Sequence, residues 1–124
     1  MLGSNKIVAF VYTADSKRAR SFYEGTLGLK YVSEDQFALV MEGHITMLRI
    51  GKSPDLKPAP FTVVGWETSE IEKLVAKLQE RGVAFEKYPW MPPSALPIWT
   101  APSGDKVAWF KDPDGNVLSL SQHV

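Results

Sequence analysis

The 124-residue chain contains no cysteine. This excludes disulfides, thiolate nucleophiles and thiolate metal sites, and it agrees with residence in a reducing cytoplasm. Histidine is nearly as scarce, confined to His44 and His123. A surplus of one charge is missing too: 14 Lys and Arg balance 14 Asp and Glu, for a formal net charge of +0. Phosphate binding generally shows as a basic surplus on one face, so nucleic acid is not an expected partner. The cluster of Lys17, Arg18 and Arg20 reads as a solvated helix face. No run approaches the roughly 18 apolar residues of a membrane helix. The start, Met1-Leu2-Gly3-Ser4-Asn5-Lys6, lacks the charged-then-apolar pattern of an export signal. A soluble, cytoplasmic protein with no membrane partner is expected.

What is present suffices for one core. The 44% hydrophobic content and 11% aromatics can fill a single interior, and the length is too short for two ordinary domains, so one domain over residues 1–124 is expected. Lys6–Tyr12 reads as a strand. Asp15 then stands as a helix N-cap before Ala19, Phe22, Tyr23 and Leu27, whose spacing is helical, and Gly28 ends the helix. Strand-like runs follow at Leu29–Ser33, Phe37–Glu42 and Ile45–Ile50, and the proline-bearing stretch Gly51–Pro60 reads as a linker. The second half repeats this order: a strand at Phe61–Glu67, a capping box at Ser69 and Glu72, apolar positions Ile71, Leu74, Val75 and Leu78, and a helix end at Gly82. Asp15 to Gly28 and Ser69 to Gly82 each span thirteen residues, an offset of 54. Strands at Val83–Tyr88, Ile98–Ala101, Val107–Lys111 and Asn116–Ser121 complete the half.

Each half is therefore a βαβββ module, the first over about residues 5–52, the linker about 53–60 and the second about 61–124. Neither module can bury a sheet face alone. The fold class expected is α+β: two mixed four-stranded sheets curved around a shared cleft, with the helices outside. The turn Asp112-Pro113-Asp114-Gly115 sets the register of the last strand. Pro113 presets φ, Asp112 can hydrogen-bond the backbone ahead of it, and Gly115 supplies a positive φ. Ser119 then shares a face with Val117 and Ser121.

The combination of Phe22-Tyr23, Leu27-Gly28-Leu29, Arg81-Gly82-Val83 and Trp109-Phe110-Lys111-Asp112-Pro113-Asp114-Gly115-Asn116 resembles the vicinal oxygen chelate superfamily, which includes glyoxalase I, bleomycin-resistance proteins and extradiol dioxygenases. The resemblance covers the whole chain and implies the fold, not an activity. It also implies a homodimer. In metal-dependent relatives the ligands are His, Glu or Gln on the first and last strand of each module. The matching positions here are Val8, Met47, Thr62 or Val63, and Ser119. None suits a hard or borderline divalent ion, so the expectation is no metal and no cofactor. His44 falls on a turn and His123 in the last residues, where fraying is expected, and no Ser/His/Asp arrangement is foreseen.

With no metal, the expected cleft is marked by aromatics, sulfur and one charge. Phe10 shares the face of Val8, Arg49 that of Met47, and Trp66 is placed with Thr62 and Val64. Trp109, three residues before Asp112, stands where the resemblance implies a pocket-facing aromatic, while Trp90 and Trp99 flank a proline-rich rim at Pro89–Pro97. The candidate binding residues are Phe10, Met47, Arg49, Trp66, Trp99, Trp109 and Ser119. Each has a plainer reading as core or solvated surface, and an inward Arg49 needs an acid or an anionic ligand. The leading expectation is a binding protein for a small, partly aromatic molecule with a polar or anionic group. The alternatives are a metal-dependent glyoxalase- or dioxygenase-type enzyme, a metal-independent lyase or isomerase, and an interaction protein with a vestigial cleft.

Overall fold

Alternating side chains and well-placed turns give eight strands in the computed structural model, which describes residues 1–124. The chain divides into two units, Met1–Pro58 and Ala59–Val124. The first begins with a 3₁₀ turn at Leu2–Ser4, followed by β1 (Val8–Thr13) and α1 (Ser16–Arg20). Asp15 caps α1 as expected, its carboxylate accepting the Arg18 N–H at 3.2 Å. The helix does not run on in α geometry to Gly28. It becomes π-helical over Ser21–Thr26, with the Leu27 N–H reaching the Phe22 carbonyl at 2.9 Å. Gly28, at φ 80°, then reverses the chain.

Three strands complete this unit: β2 (Lys30–Glu34), β3 (Ala38–Gly43) and β4 (Thr46–Lys52). The sheet order is β1-β4-β3-β2, with β1 parallel to β4 and the remaining pairs antiparallel. Alternation sends Val11, Thr13, Leu39, Met41, Leu48 and Ile50 to the core face, where all are buried. The opposite face carries Val8 beside Met47 and Phe10 beside Arg49. Tyr12 pairs with Gly51, and its ring lies over that glycine, where any Cβ would collide with it.

The second unit contains β5 (Thr62–Glu67), α2 (Ile71–Glu80), β6 (Trp99–Thr100), β7 (Lys106–Lys111) and β8 (Val117–Gln122). Its sheet order, β5-β8-β7-β6, again has one parallel pair, β5 with β8. Ala108, Phe110, Leu118 and Leu120 line the core face, and α2, which buries Ile71, Val75 and Leu78, packs against β7 and β8.

Two expectations for this unit fail. Ser69 and Glu72 form no capping box. The helix starts at Ile71, whose N–H donates to Oε1 of Gln122 at 2.9 Å, so a residue of β8 satisfies a helix donor that a local side chain was expected to take. Nor is Val83–Tyr88 a strand. Only Phe85 bridges to Phe110, and the Glu86 N–H donates to the Trp109 carbonyl at 2.8 Å. The chain then leaves the sheet and returns at Trp99, opposite Val107. The prolines of residues 87–98 cannot donate to a ladder, which breaks the edge strand in two.

Candidate functional site

The excursion over residues 87–98 carries aromatic side chains back onto the face of the second sheet that bears Trp109. That face is fixed by register. Trp109 pairs with Ser119, which pairs with Gly65, and the next row along is Trp99, Val107, Ser121 and Glu67. Trp90 lies 5.6 Å from both Trp99 and Trp109, nearly perpendicular to each, and stacks on Tyr88 at 5.6 Å. Tyr88 also meets Trp109 edge-on at 5.6 Å. Such edge-to-face pairs contribute about 0.5–1.5 kcal/mol each beyond area burial, so the four rings brace one another.

Against this cluster lies a pocket of about 340 Å³. Tyr88, Trp90 and Trp109 form one side, Pro60 and Phe61 another, and Thr62 and Val117 complete the lining at the paired starts of β5 and β8. No charged side chain lines it. Phe61 and Trp90 are exposed at its rim. Ser119 is buried on the same face, where Gly65 makes room for it: a Cβ on Gly65 would lie 2.8 Å from the Ser119 Oγ.

The expected site residues fall into three groups. Trp99, Trp109 and Ser119 share the pocket face of the second sheet. Phe10, Met47 and Arg49 share the face of the first sheet opposite its core face, where Phe10 is 53% and Met47 40% exposed. Trp66 belongs with neither group. It pairs with Leu120 on the core face and stacks on Phe110 at 6.4 Å, so its placement with Thr62 is corrected by the irregularity between Thr62 and Val64 that shifts the alternation. No side-chain hydrogen bond or ion pair holds the Arg49 guanidinium. Asp35 is an acid within its field. That carboxyl sits below its usual pKa mainly because the Phe37 and Ala38 N–H groups donate to it, with the charges of Arg49 and Lys52 adding to the effect. Tyr88, Phe61 and Pro60 were missed. The signal available in sequence was the density of aromatics and prolines from Tyr88 to Trp99.

The residues present do not fit the metal of the metal-dependent relatives. Val8 and Met47 are adjacent as that pattern requires, but neither is a donor for a hard cation. The register sets Gly65, not Thr62 or Val63, beside Ser119, which again provides no imidazole or carboxylate. No group of three or more His, Asp or Glu is close enough to hold an ion.

One arrangement contradicts expectation. His123 is not frayed: its Nδ1 lies 3.1 Å from Oδ2 of Asp105 and its Nε2 3.0 Å from Oγ of Ser121. A Ser/His/Asp set does assemble, because the pairing of Lys106 with Gln122 brings the residues just beyond each strand together.

A family model described as the Glyoxalase/Bleomycin resistance protein/Dioxygenase superfamily matches residues 5–120. Comparison with curated proteins gives no match. A solved member of the same superfamily from Sphaerobacter thermophilus is 28% identical, with a TM-score of 0.75 over 99% of this chain and 100% of that one. TnmS3, an antibiotic binding protein from Streptomyces sp. CB03234, is 27% identical, with a TM-score of 0.69 over 98% and 97%. Lactoylglutathione lyase from Agrobacterium tumefaciens, at 15% identity and a TM-score of 0.74 over 96% and 93%, shares the fold. No helix of the chain is long and apolar enough to cross a membrane.

Proposed function

The chain belongs to the Glyoxalase/Bleomycin resistance protein/Dioxygenase superfamily, and from that premise we propose that it is a cytoplasmic, metal-free homodimer that binds a small, partly aromatic molecule. The observation that carries the proposal is the uncharged pocket of about 340 Å³ walled by Tyr88, Trp90 and Trp109. Its volume lies within the usual range for small-ligand sites, about 300–1,000 Å³. Indole and phenol rings offer a flat ligand large contact area at low conformational cost. The likeness to an antibiotic binding protein at 27% identity favours the same class of role. Val8, Met47, Gly65 and Ser119 offer no ligand set through which a lyase or dioxygenase metal could act.

In this reading Ser119, beside Trp109, offers the bound molecule a hydroxyl. On the first sheet, Phe10 and Met47 form an exposed apolar surface on which Arg49 would meet an anionic or carbonyl group. A tryptophan-fluorescence titration with a panel of aromatic antibiotics tests the proposal. Saturable quenching by at least one compound, lost in Trp109→Ala, is expected. Fluorescence indifferent to the whole panel would favour a pocket without a ligand.

A further inference from the structure

On the pocket face of the second sheet, the rows that carry Trp109 and Trp99 lead along β8 to Ser121, His123 and Asp105. We infer that these three residues form an acyl-transfer site for activated, uncharged carboxylic esters bearing an aromatic group. Asp105 Oδ2 lies 3.1 Å from His123 Nδ1, and His123 Nε2 lies 3.0 Å from Ser121 Oγ. The Val124 N–H donates to the other Asp105 oxygen at 3.0 Å, so the carboxylate is held from two sides. An ionised carboxylate only accepts hydrogen bonds. Nδ1 of the neutral ring must therefore carry the proton, which leaves the Nε2 lone pair facing the Ser121 hydroxyl, the tautomer a general base requires.

The reaction balances without any further reagent than water. Ser121 Oγ bonds to the ester carbonyl carbon while its proton passes to Nε2 and the carbonyl π pair moves onto oxygen. Collapse of the tetrahedral adduct breaks the bond to the leaving oxygen, which takes the proton from Nε2. Water then attacks the acyl-serine, Nε2 again accepting a proton and returning it to Oγ. The products are a carboxylic acid and an alcohol or phenol.

The surroundings define the substrate class. Trp99 stands in the same row as Ser121, two strands away, and Trp109 in the next row, about 7 Å along at two residues of strand rise. An aromatic group set against those rings leaves its ester within reach of Oγ. Glu67, paired with Ser121 on the other side, disfavours an anionic ester. General-base assistance supplies about 10²–10⁴-fold, well short of what an unactivated ester or amide needs, so the leaving group must be a good one.

The test uses the full chain and p-nitrophenyl acetate, with nitrophenolate release and peptide mass mapping as readouts. An acetyl group on Ser121 is expected, with release slowed at least about 100-fold in Ser121→Ala and His123→Gln. Ser121→Ala removes one hydroxyl from a half-buried position, and unaltered circular dichroism confirms that it folds. Acetylation confined to lysines, or a His123→Gln rate within about twofold of the parent, would overturn the inference. The readout needs no ligand in the Trp109 pocket, so failure here leaves the binding proposal standing.

Discussion

Trp109 and Trp66 are the same residue type on two strands of one sheet, separated by β8, and do opposite work. Trp109 stands among Tyr88, Trp90 and Trp99 on the pocket face, whereas Trp66 stacks on Phe110 in the core. Replacing Trp109 with alanine is therefore expected to weaken ligand binding about tenfold or more, roughly 1.4 kcal/mol, with a smaller change in stability. Trp66→Ala should do the reverse, lowering the unfolding free energy by about 2–3 kcal/mol while leaving affinity within a few fold, as urea denaturation and a binding titration on each variant would show. Asp35 gives a second expectation. Its folded pKa is depressed, chiefly by the Phe37 and Ala38 N–H donors, so its contribution is complete above the ordinary carboxylate value of 3.8 and is lost as pH falls through the folded value. Asp105, depressed by the Val124 N–H and by His123, has the same sign. The urea midpoint should drop on going from neutral pH to below about 4, and Asp35→Asn should drop less over that interval. An equal drop in parent and variant would remove Asp35 from the account.

The turn at Asp112 governs the register of the last hairpin, and so of Ser119 and the pocket. Asp112 Oδ1 accepts the Asp114 and Asn116 N–H groups at 2.9 Å each, Oδ2 accepts the Asn116 side-chain amide at 2.8 Å, and both Asp112 and Asn116 are buried. Removing that carboxylate strands three donors. Asp112→Ala is expected to cost about 3 kcal/mol in chemical denaturation, and a loss below 1 would show that water takes over the three bonds. This turn was readable in the sequence because its chemistry is local: proline, glycine and aspartate at fixed offsets. So was the sharing of a face by Phe10 with Val8 and by Arg49 with Met47, which follows from alternation alone, whereas the pairing of Phe10 with Arg49 needed the register. The edge beyond β7 was not readable. Whether Val83–Tyr88 pairs continuously depends on where the prolines lift the chain away, and only the folded backbone shows Phe85 bridging and Trp99 returning twelve residues after Lys87. Trp66 was misplaced for a related reason, since an irregularity one strand-turn earlier inverts every later face. His123 was missed because its partners come from β8 and from the turn before β7, a contact that spacing along the chain does not reveal.

At the scale of the whole molecule, two modules of one grammar each present a sheet face that bears aromatic side chains. Phe10 at 53% and Tyr12 at 49% exposure leave an apolar surface on the first sheet, a feature that marks interaction sites. Sedimentation is expected to give twice the 13.8 kDa chain mass, and a species of single chain mass at all concentrations would refute the homodimer. Repetition also explains why the scaffold was recognisable and the activity was not, since the same module order serves unrelated chemistries and only the side chains at Val8, Met47, Gly65 and Ser119 speak to this one. The central claim is a pocket that binds an aromatic molecule without a metal. Its most direct test is calorimetric titration of one aromatic ligand into chelator-treated protein, with elemental analysis of the same sample. The account predicts undiminished affinity at negligible metal content. Binding that vanishes on chelation and returns with one equivalent of a divalent ion would contradict it.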